Sequence, residues 1–274
     1  METKIEQPFP WPKFWAELAG TALLLLLGLS LVIFMYGSGN PVERIIPELW
    51  LRRIISGFIF GGIGALIAIS PIGKESGAHI NPVVTMAFWF FGKIESKVAI
   101  IYIVAQLAGA IIGTLPLLAW GEWGRSISFG ATEPGVGYTT LAALVGEVLT
   151  TFTMVSLLII FLGFRKIRPY TPALFPILYA IMVPLEAAIS GISTNPARSF
   201  GPAVVAGVWN GWWIYWIGPF VGALFASRVC SRLAKKITEA KLYHFDSDTD
   251  KLFRKKSSSV PTNGPKESSE PAIK

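Results

Sequence analysis

Four almost uncharged segments, each long enough to cross a membrane, restrict what this chain can fold into. They comprise residues 14–36, 54–73, 98–121 and 138–164. Glu17 and Glu147 are the only charged residues within them. A helix that spans the hydrocarbon core of a bilayer needs about 20 predominantly apolar residues. Since 52% of all residues are hydrophobic and 15% are charged, the sequence predicts an all-α membrane protein.

Two further apolar stretches, 169–197 and 199–227, are too long for one span each. Gly, Pro and Ser cluster between positions 190 and 202, which indicates a non-helical excursion between two spans. The sequence therefore predicts six transmembrane helices. They lie at about 14–36, 51–71, 98–120, 138–162, 173–190 and 212–233.

The distribution of Lys and Arg predicts the orientation of the chain. Six spans place both termini on one side, and cytoplasmic loops carry the excess of basic residues. With the termini in the cytoplasm, most of the 24 Lys and Arg residues lie on that side. The exceptions are Arg44, Arg52, Arg53, Arg125 and Arg198. We predict a cytoplasmic N-terminus at 1–13 and a cytoplasmic, disordered tail at 234–274, whose composition favours Lys, Ser, Pro and Glu.

The composition argues against several other classes of protein. The net charge of +7 belongs to membrane-proximal loops and the tail rather than to one folded patch, so we expect no nucleic-acid partner. His79 has no Cys, Asp or Glu at a spacing typical of metal ligands. No nucleophile or phosphate-binding motif stands out either. The sequence therefore predicts no metal, no cofactor and no enzymatic activity.

Two Asn-Pro motifs stand in matching surroundings. Asn81-Pro82 and Asn195-Pro196 each lie beside a long apolar segment and open a short helix-compatible run. Asparagine is a favourable N-cap, and proline at the first helical position has no N–H to leave unpaired. We therefore predict two buried half-helices, at about 82–91 and 196–206.

Other features recur with the Asn-Pro motifs and indicate an internal repeat. Glu17 and Glu147 lie in the first span of each half, and Tyr102 and Tyr215 follow the two asparagines at nearly equal distances. We assign the first repeat to 14–121, an extracellular connection to 122–137 and the second repeat to 138–233. Because each repeat has three spans, an odd number, the second repeat is inverted relative to the first.

Inverted repeats place the functional site near the membrane midplane, where interrupted helices meet. Non-helical backbone at that depth is tolerated only if protein buries it or it lines a cavity. We therefore expect the residues before each asparagine to offer carbonyl groups to a cavity. This carbonyl ladder comprises Gly77, Ala78, His79, Ile80, Gly191, Ser193 and Thr194.

From 14 to about 233 the chain resembles the aquaporins, of the major intrinsic protein family. The motifs that carry the resemblance are Ser76–Val83, Asn195–Pro202, the two glutamates, and the glycine-rich third and sixth spans. Among aquaporins it is similar to the water channels, with Asn-Pro-Val in place of the common first Asn-Pro-Ala. The resemblance implies six transmembrane helices and two re-entrant half-helices that meet in a pore.

The resemblance also implies roles for the motif residues. The asparagine amides donate hydrogen bonds to the permeating oxygen, and the two positive half-helix ends disfavour protons and cations. The central constriction would comprise Asn81, Pro82, Val83, Asn195, Pro196 and Ala197. Glu17 and Glu147 would accept hydrogen bonds from backbone amides of the two re-entrant loops.

Four further positions correspond to the selectivity filter of the family. Arg198 is the filter arginine, and an intramembrane arginine is in itself a sign of function. Offsets from the motifs assign Val183, Ile192 and Phe60 to the remaining positions, with Gly61 as the alternative to Phe60. Strict water channels usually place histidine where this chain has Val183, so we expect a less polar and wider filter.

The predicted function is therefore passive conduction of water, and of small neutral solutes, with exclusion of protons and ions. One alternative is a facilitator mainly for glycerol, hydrogen peroxide, ammonia or metalloid hydroxides. Another is a proton-coupled secondary transporter in which Glu17 or Glu147 titrates. The resemblance further implies a homotetramer in the lipid bilayer, and we expect it in the plasma membrane.

Overall fold

The computed structural model describes residues 9–243, and within that range the regular structure is entirely helical. Eight helices form the body of the molecule. They are α1 (Trp11–Tyr36), α2 (Leu49–Ile69), α3 (Pro82–Phe90), α4 (Ser96–Thr114), α5 (Thr140–Gly163), α6 (Thr171–Glu186), α7 (Pro196–Ala206) and α8 (Ile214–Val229). Shorter helical turns connect them, at Val42–Ile45, Pro71–Ser76, Leu115–Trp120, Gly121–Arg125, Ser128–Gly130, Arg168–Tyr170 and Ser231–Ala234.

Six of the eight helices correspond to the six predicted spans. Helices α1, α2 and α5, and the continuous segment Ser96–Arg125 that begins with α4, are long and apolar enough to cross a membrane. Helices α6 and α8 have 16 residues each, which gives a length of about 24 Å. They are shorter than the predicted 173–190 and 212–233, because residues 187–190 after α6, residues 212–213 before α8 and Cys230 after it form turns. Ser231–Ala234 is a separate short helix.

The packing of the helices follows the two halves of the sequence. Within the first half α1 packs against α4, and within the second α5 packs against α8. The two halves meet where α2 packs against α6. The half-helices α3 and α7 cross over, since α3 packs against α8 and α7 against α4. Each half-helix therefore lies on the third span of the other half.

Pairs of glycines four residues apart allow three of these helix contacts to be close: α2 with α6, α4 with α1, and α8 with α5. The pairs are Gly57 and Gly61 of α2, Gly109 and Gly113 of α4, and Gly218 and Gly222 of α8. A Cβ atom at Gly57 would lie 2.2 Å from the carbonyl oxygen of Tyr179 in α6. One at Gly113 would lie 2.2 Å from that of Ala22 in α1. Small residues at this spacing let membrane helices approach backbone to backbone.

The chain after α8 continues along the body of the protein. Ala234, Ile237, Ala240 and Leu242 are buried and join the largest hydrophobic cluster. The predicted tail at 234–274 thus begins with a packed segment, in which apolar side chains spaced two or three residues apart face the helices. Residues 244–274 lie outside the described range.

Candidate pore

The half-helices α3 and α7 begin at the two Asn-Pro motifs. Asn81 Oδ1 accepts a hydrogen bond from the backbone N of Val83 at 2.8 Å. Asn195 Oδ1 accepts from Ala197 N at 3.0 Å and from Arg198 N at 3.3 Å. Each asparagine therefore caps its own helix through its side-chain oxygen, which leaves the amide nitrogen free for other partners.

The two caps are also bonded across the repeat. Asn81 Nδ2 donates to the carbonyl of Thr194 at 3.0 Å, and Asn195 Nδ2 donates to the carbonyl of Ile80 at 3.1 Å. These reciprocal bonds hold the N-termini of α3 and α7 against each other. An asparagine amide has two N–H donors, so each side chain retains one for a ligand in the cavity that both line.

The loops that lead to the asparagines repeat the same unusual backbone. Gly77 and Gly191 have φ of 88° and 83°. Ala78 has φ of 52°, while the β-branched residues Ile80 and Thr194 have φ of 42° and 50°. Positive φ is costly for residues with a Cβ, above all for β-branched ones. Such conformations persist only where the surroundings hold them.

Glu17 holds the first loop. Its Oε1 accepts hydrogen bonds from Ser76 Oγ at 2.6 Å and from His79 N at 2.9 Å. Its Oε2 accepts from Ile80 N at 2.7 Å and from Gln106 Nε2 at 2.7 Å. The side chain is completely buried, and its four donors satisfy both carboxylate oxygens.

Glu147 holds the second loop in the same way. Its Oε1 accepts from Ser190 Oγ at 2.6 Å and from Ser193 N at 2.7 Å, and its Oε2 accepts from Thr194 N at 2.9 Å. Glu147 is also completely buried. In both halves a carboxylate on the first span therefore fixes the strained residues just before the asparagine.

Two serines and two tyrosines complete the support of the loops. The carbonyl of Ser76 accepts a hydrogen bond from Tyr102 OH, and that of Ser190 accepts one from Tyr215 OH, each at 2.8 Å. Each serine hydroxyl also accepts a bond from the backbone N–H two residues further on. The sequence predicts no such role for these residues, and its one signal is that Ser and Tyr recur at matching positions of both halves.

Two cavities meet beside the asparagines. The wide cavity has a volume of about 260 Å³, and the four predicted filter residues line it: Phe60, Val183, Ile192 and Arg198. The narrow cavity has a volume of about 50 Å³ and is lined by both asparagines, which is room for a few water molecules. Phe60 borders both cavities, whereas Gly61 borders only the narrow one.

Arg198 lies on the first turn of α7 with most of its surface buried. Its Nη1 donates to the carbonyl of Gly130 at 2.6 Å, so the connection between the two halves fixes the guanidinium. A guanidinium has five N–H donors, and this bond uses one of them. Arg198 therefore presents positive charge and further donors to the wide cavity.

The predicted carbonyl ladder divides into residues that border the cavities and residues that do not. His79 and Ile80 line the narrow cavity, Gly191 lines the wide one, and Ser193 lines both. Gly77, Ala78 and Thr194 border neither cavity: Ala78 is fully buried, the Thr194 carbonyl accepts from Asn81, and that of Gly77 accepts from Leu242 N at 3.1 Å. Val83 and Ala197 are likewise fully buried in the core.

Tyr179 is a pore residue that the sequence does not predict. With Phe60 and Ser193 it lines both cavities, and it lies one helical turn from Val183 on the same face of α6. Its hydroxyl lies 2.6 Å from Thr194 Oγ1. The signal in the sequence is the four-residue spacing from Val183, which becomes informative only once α6 is known to face the pore.

Comparison with known proteins supports the same architecture. A sequence model described as Major intrinsic protein matches residues 4–229. The chain has a fold similar to the X-ray structure of the aquaglyceroporin from Plasmodium falciparum, with a TM-score of 0.65. That similarity covers 82% of this chain and 99% of the other at 19% identity. The predicted class, six transmembrane helices plus two half-helices, is thereby confirmed.

Relatives with closer sequences include several aquaporins. Aquaporin-4 of Mus musculus is 32% identical over 229 residues, 79% of this chain but 65% of its own length. Probable aquaporin TIP1-2 of Oryza sativa is 33% identical, covering 73% of this chain and 82% of that protein. Aquaporin AqpM of Methanothermobacter marburgensis is 34% identical, covering 77% and 93%. This chain belongs to the major intrinsic protein family, the aquaporin channels, which are not enzymes.

Proposed function

We propose that this protein conducts water passively through a pore in which the wide and narrow cavities lie in series. The pair formed by Asn81 and Asn195 carries this proposal. Each side chain is oriented by a cap and by a cross-repeat hydrogen bond, and each keeps an N–H for the oxygen of a passing water molecule. Because both side chains are fixed in this way, they can donate hydrogen bonds to each passing water molecule without changing conformation.

The electrostatics of the pore account for the exclusion of protons and cations. The N-terminus of a helix carries roughly half a positive charge. The N-termini of α3 and α7 both lie at the narrow cavity. Arg198 adds a full charge at the wide cavity. Water held by the asparagines has its oxygen toward them, so the hydrogen-bonded wire along which protons would hop is interrupted.

Size selection rests on two successive constrictions in this proposal. Phe60, Val183, Ile192 and Arg198 form the outer one. Phe60 and Tyr179 form an inner one, where the wide cavity meets the narrow cavity. The apolar surfaces of Val183 and Ile192 admit small neutral solutes to the wide cavity, and the two aromatic rings decide which of them continue.

A facilitator for glycerol, hydrogen peroxide, ammonia or metalloid hydroxides is the alternative within the same fold. It is favoured by Val183, since an aliphatic side chain there leaves the wide cavity less polar than a histidine would. Stopped-flow light scattering on proteoliposomes separates the two. Water permeability above that of empty liposomes with slow glycerol entry supports the water channel, whereas rapid glycerol entry supports the facilitator.

Proton-coupled transport fits the surroundings of the glutamates less well. Glu17 and Glu147 receive four and three hydrogen bonds respectively, and a carboxylate that gained a proton would lose an acceptor position that these donors need. Solute uptake against a gradient under an imposed pH difference would favour the transporter over the channel.

We also propose an orientation, an oligomeric state and a membrane for the channel. We assign the wide cavity to the extracellular side and both termini to the cytoplasm, in keeping with the distribution of basic residues. We also propose a homotetramer with one pore per subunit in the plasma membrane. Chemical cross-linking of the protein in native membranes, resolved by mass, tests the number of subunits.

A further inference from the structure

A short segment after α8 packs against the first re-entrant loop and contributes Leu242 to the lining of the narrow cavity. The segment, Ile237–Leu242, is here called the docking segment. Ile237, Ala240 and Leu242 are 1%, 0% and 4% exposed, whereas Thr238 between them is exposed. Their side chains join the same hydrophobic cluster as Ile80 and the transmembrane helices.

Hydrogen bonds join the docking segment to the first re-entrant loop. Leu242 N donates to the carbonyl of Gly77 at 3.1 Å. His79 Nε2 lies 2.8 Å from the carbonyl of Ala240. A carbonyl only accepts, so the His79 tautomer here carries its proton on Nε2. The segment therefore forms hydrogen bonds with a carbonyl and with an imidazole of the loop that leads to Asn81.

The segment and the loop are in close contact at Gly77. A Cβ atom at Gly77 would lie 2.7 Å from the carbonyl oxygen of Ala240. Leu242 lines the narrow cavity together with His79, Asn81 and Asn195. It does not border the wide cavity. Leu242 thus lies in a part of the narrow cavity that the wide cavity does not share. With the wide cavity assigned to the extracellular side, that part faces the cytoplasm.

We propose that the docking segment is a gate at the cytoplasmic mouth of the pore. When docked, Leu242 blocks exit from the asparagine chamber. When the segment leaves, Gly77 and His79 regain free polar groups and the chamber opens to the cytoplasm. The effect on flux rests on the proposed function, whereas the docking equilibrium is independent of it. The segment lies outside the transmembrane helices, so it can open locally while those helices stay folded.

Water flux through full-length variants tests the gate. Leu242→Arg and Ala240→Arg place a charge where the segment is buried, and Thr238→Arg adds the same charge at an exposed position as the matched control. We expect water permeability per folded molecule to rise at least about threefold in the first two and to stay at the wild-type value in the control, because docking is lost only there. Equal permeability in all four proteins would overturn the gate.

Cysteine labelling tests docking without reference to transport. Cys230 is the only cysteine of the chain, so Leu242→Cys and Thr238→Cys are compared in a Cys230→Ser background. A maleimide should modify position 238 at least about tenfold faster than position 242, because a docked residue reacts only during opening. Equal rates would overturn docking. Absence of water flux in every variant, with unequal labelling, would contradict the proposed function and leave docking standing.

Discussion

The hydrogen bonds of the two buried glutamates allow a quantitative prediction. Glutamine has nearly the same shape as glutamate, but one of its two terminal atoms is a donor instead of an acceptor. In Glu17→Gln, an NH₂ group that faces Ser76 and His79 loses the bond from His79 N but keeps one with the Ser76 hydroxyl, which can accept as well as donate. Glu147→Gln likewise loses one bond if its NH₂ group faces Thr194 N.

The expected magnitude follows from the loss of one bond in each variant. A hydrogen bond to a charged group contributes roughly 1.5–3 kcal/mol. At about 2 kcal/mol per bond, Glu17→Gln and Glu147→Gln each cost about 2 kcal/mol. For a chain of this size about 3 °C in Tm corresponds to 1 kcal/mol. We therefore expect Tm to fall by about 6 °C in each variant.

Thermal unfolding of the purified proteins in detergent, followed by intrinsic fluorescence, measures both shifts, since the chain has 10 tryptophans. Glu122→Gln is the matched control. Glu122 is exposed and pairs with Arg125 at the surface, so its loss should change stability by less than about 1 kcal/mol. Wild-type stability in Glu17→Gln or in Glu147→Gln would show that the lost bond does not stabilise that loop.

Three other substitutions probe the constrictions and the helix contacts. Val183→His should lower glycerol permeability about tenfold while water flow remains, because the imidazole narrows the filter; solute uptake in stopped flow measures this. Tyr179→Val should raise glycerol permeability about tenfold in the same assay, since it removes a ring from the inner constriction. Gly57→Val should reduce the yield of folded protein in size-exclusion chromatography, because its Cβ would meet a carbonyl at 2.2 Å. Gly62→Val is the control, with nothing within 4 Å of an added Cβ.

Each of these three expectations has a contrary result. Unchanged solute flux in Val183→His would remove Val183 from the filter. Glycerol permeability at the wild-type value in Tyr179→Val would mean that the inner constriction does not select. Equal yields for the Gly57 and Gly62 variants would show that α2 and α6 need not approach as closely as they do here.

Much of the fold can be predicted from the sequence because a bilayer imposes a simple length requirement on apolar helices. The N-cap and first-turn preferences of Asn-Pro likewise locate the starts of α3 and α7. The ends of α6 and α8 cannot be predicted in this way, since apolar residues occupy the turns beside them as well. The hydropathy of a residue indicates whether it lies in an apolar environment, not whether its backbone is helical.

Only part of the candidate pore can be predicted from the sequence. Motif spacing and resemblance point to Asn81, Asn195 and Arg198. The contributions of Tyr179 and Leu242 depend on contacts between residues far apart in the chain. The spacing of Tyr179 from Val183 becomes informative only once α6 is known to face the pore, and no local pattern marks Leu242. Leu242 illustrates the difficulty. It lies in a region whose composition predicts disorder, yet it is buried and lines the narrow cavity.

In the proposed function the chain by itself forms a passive water pore. This is measured as the osmotic water permeability of liposomes that contain the purified full-length protein, by stopped-flow light scattering without a pH difference. We expect shrinkage faster than in empty liposomes, in proportion to the protein content and with no net movement of protons. Shrinkage at the rate of empty liposomes, from folded protein of both wild type and Leu242→Arg, would contradict it.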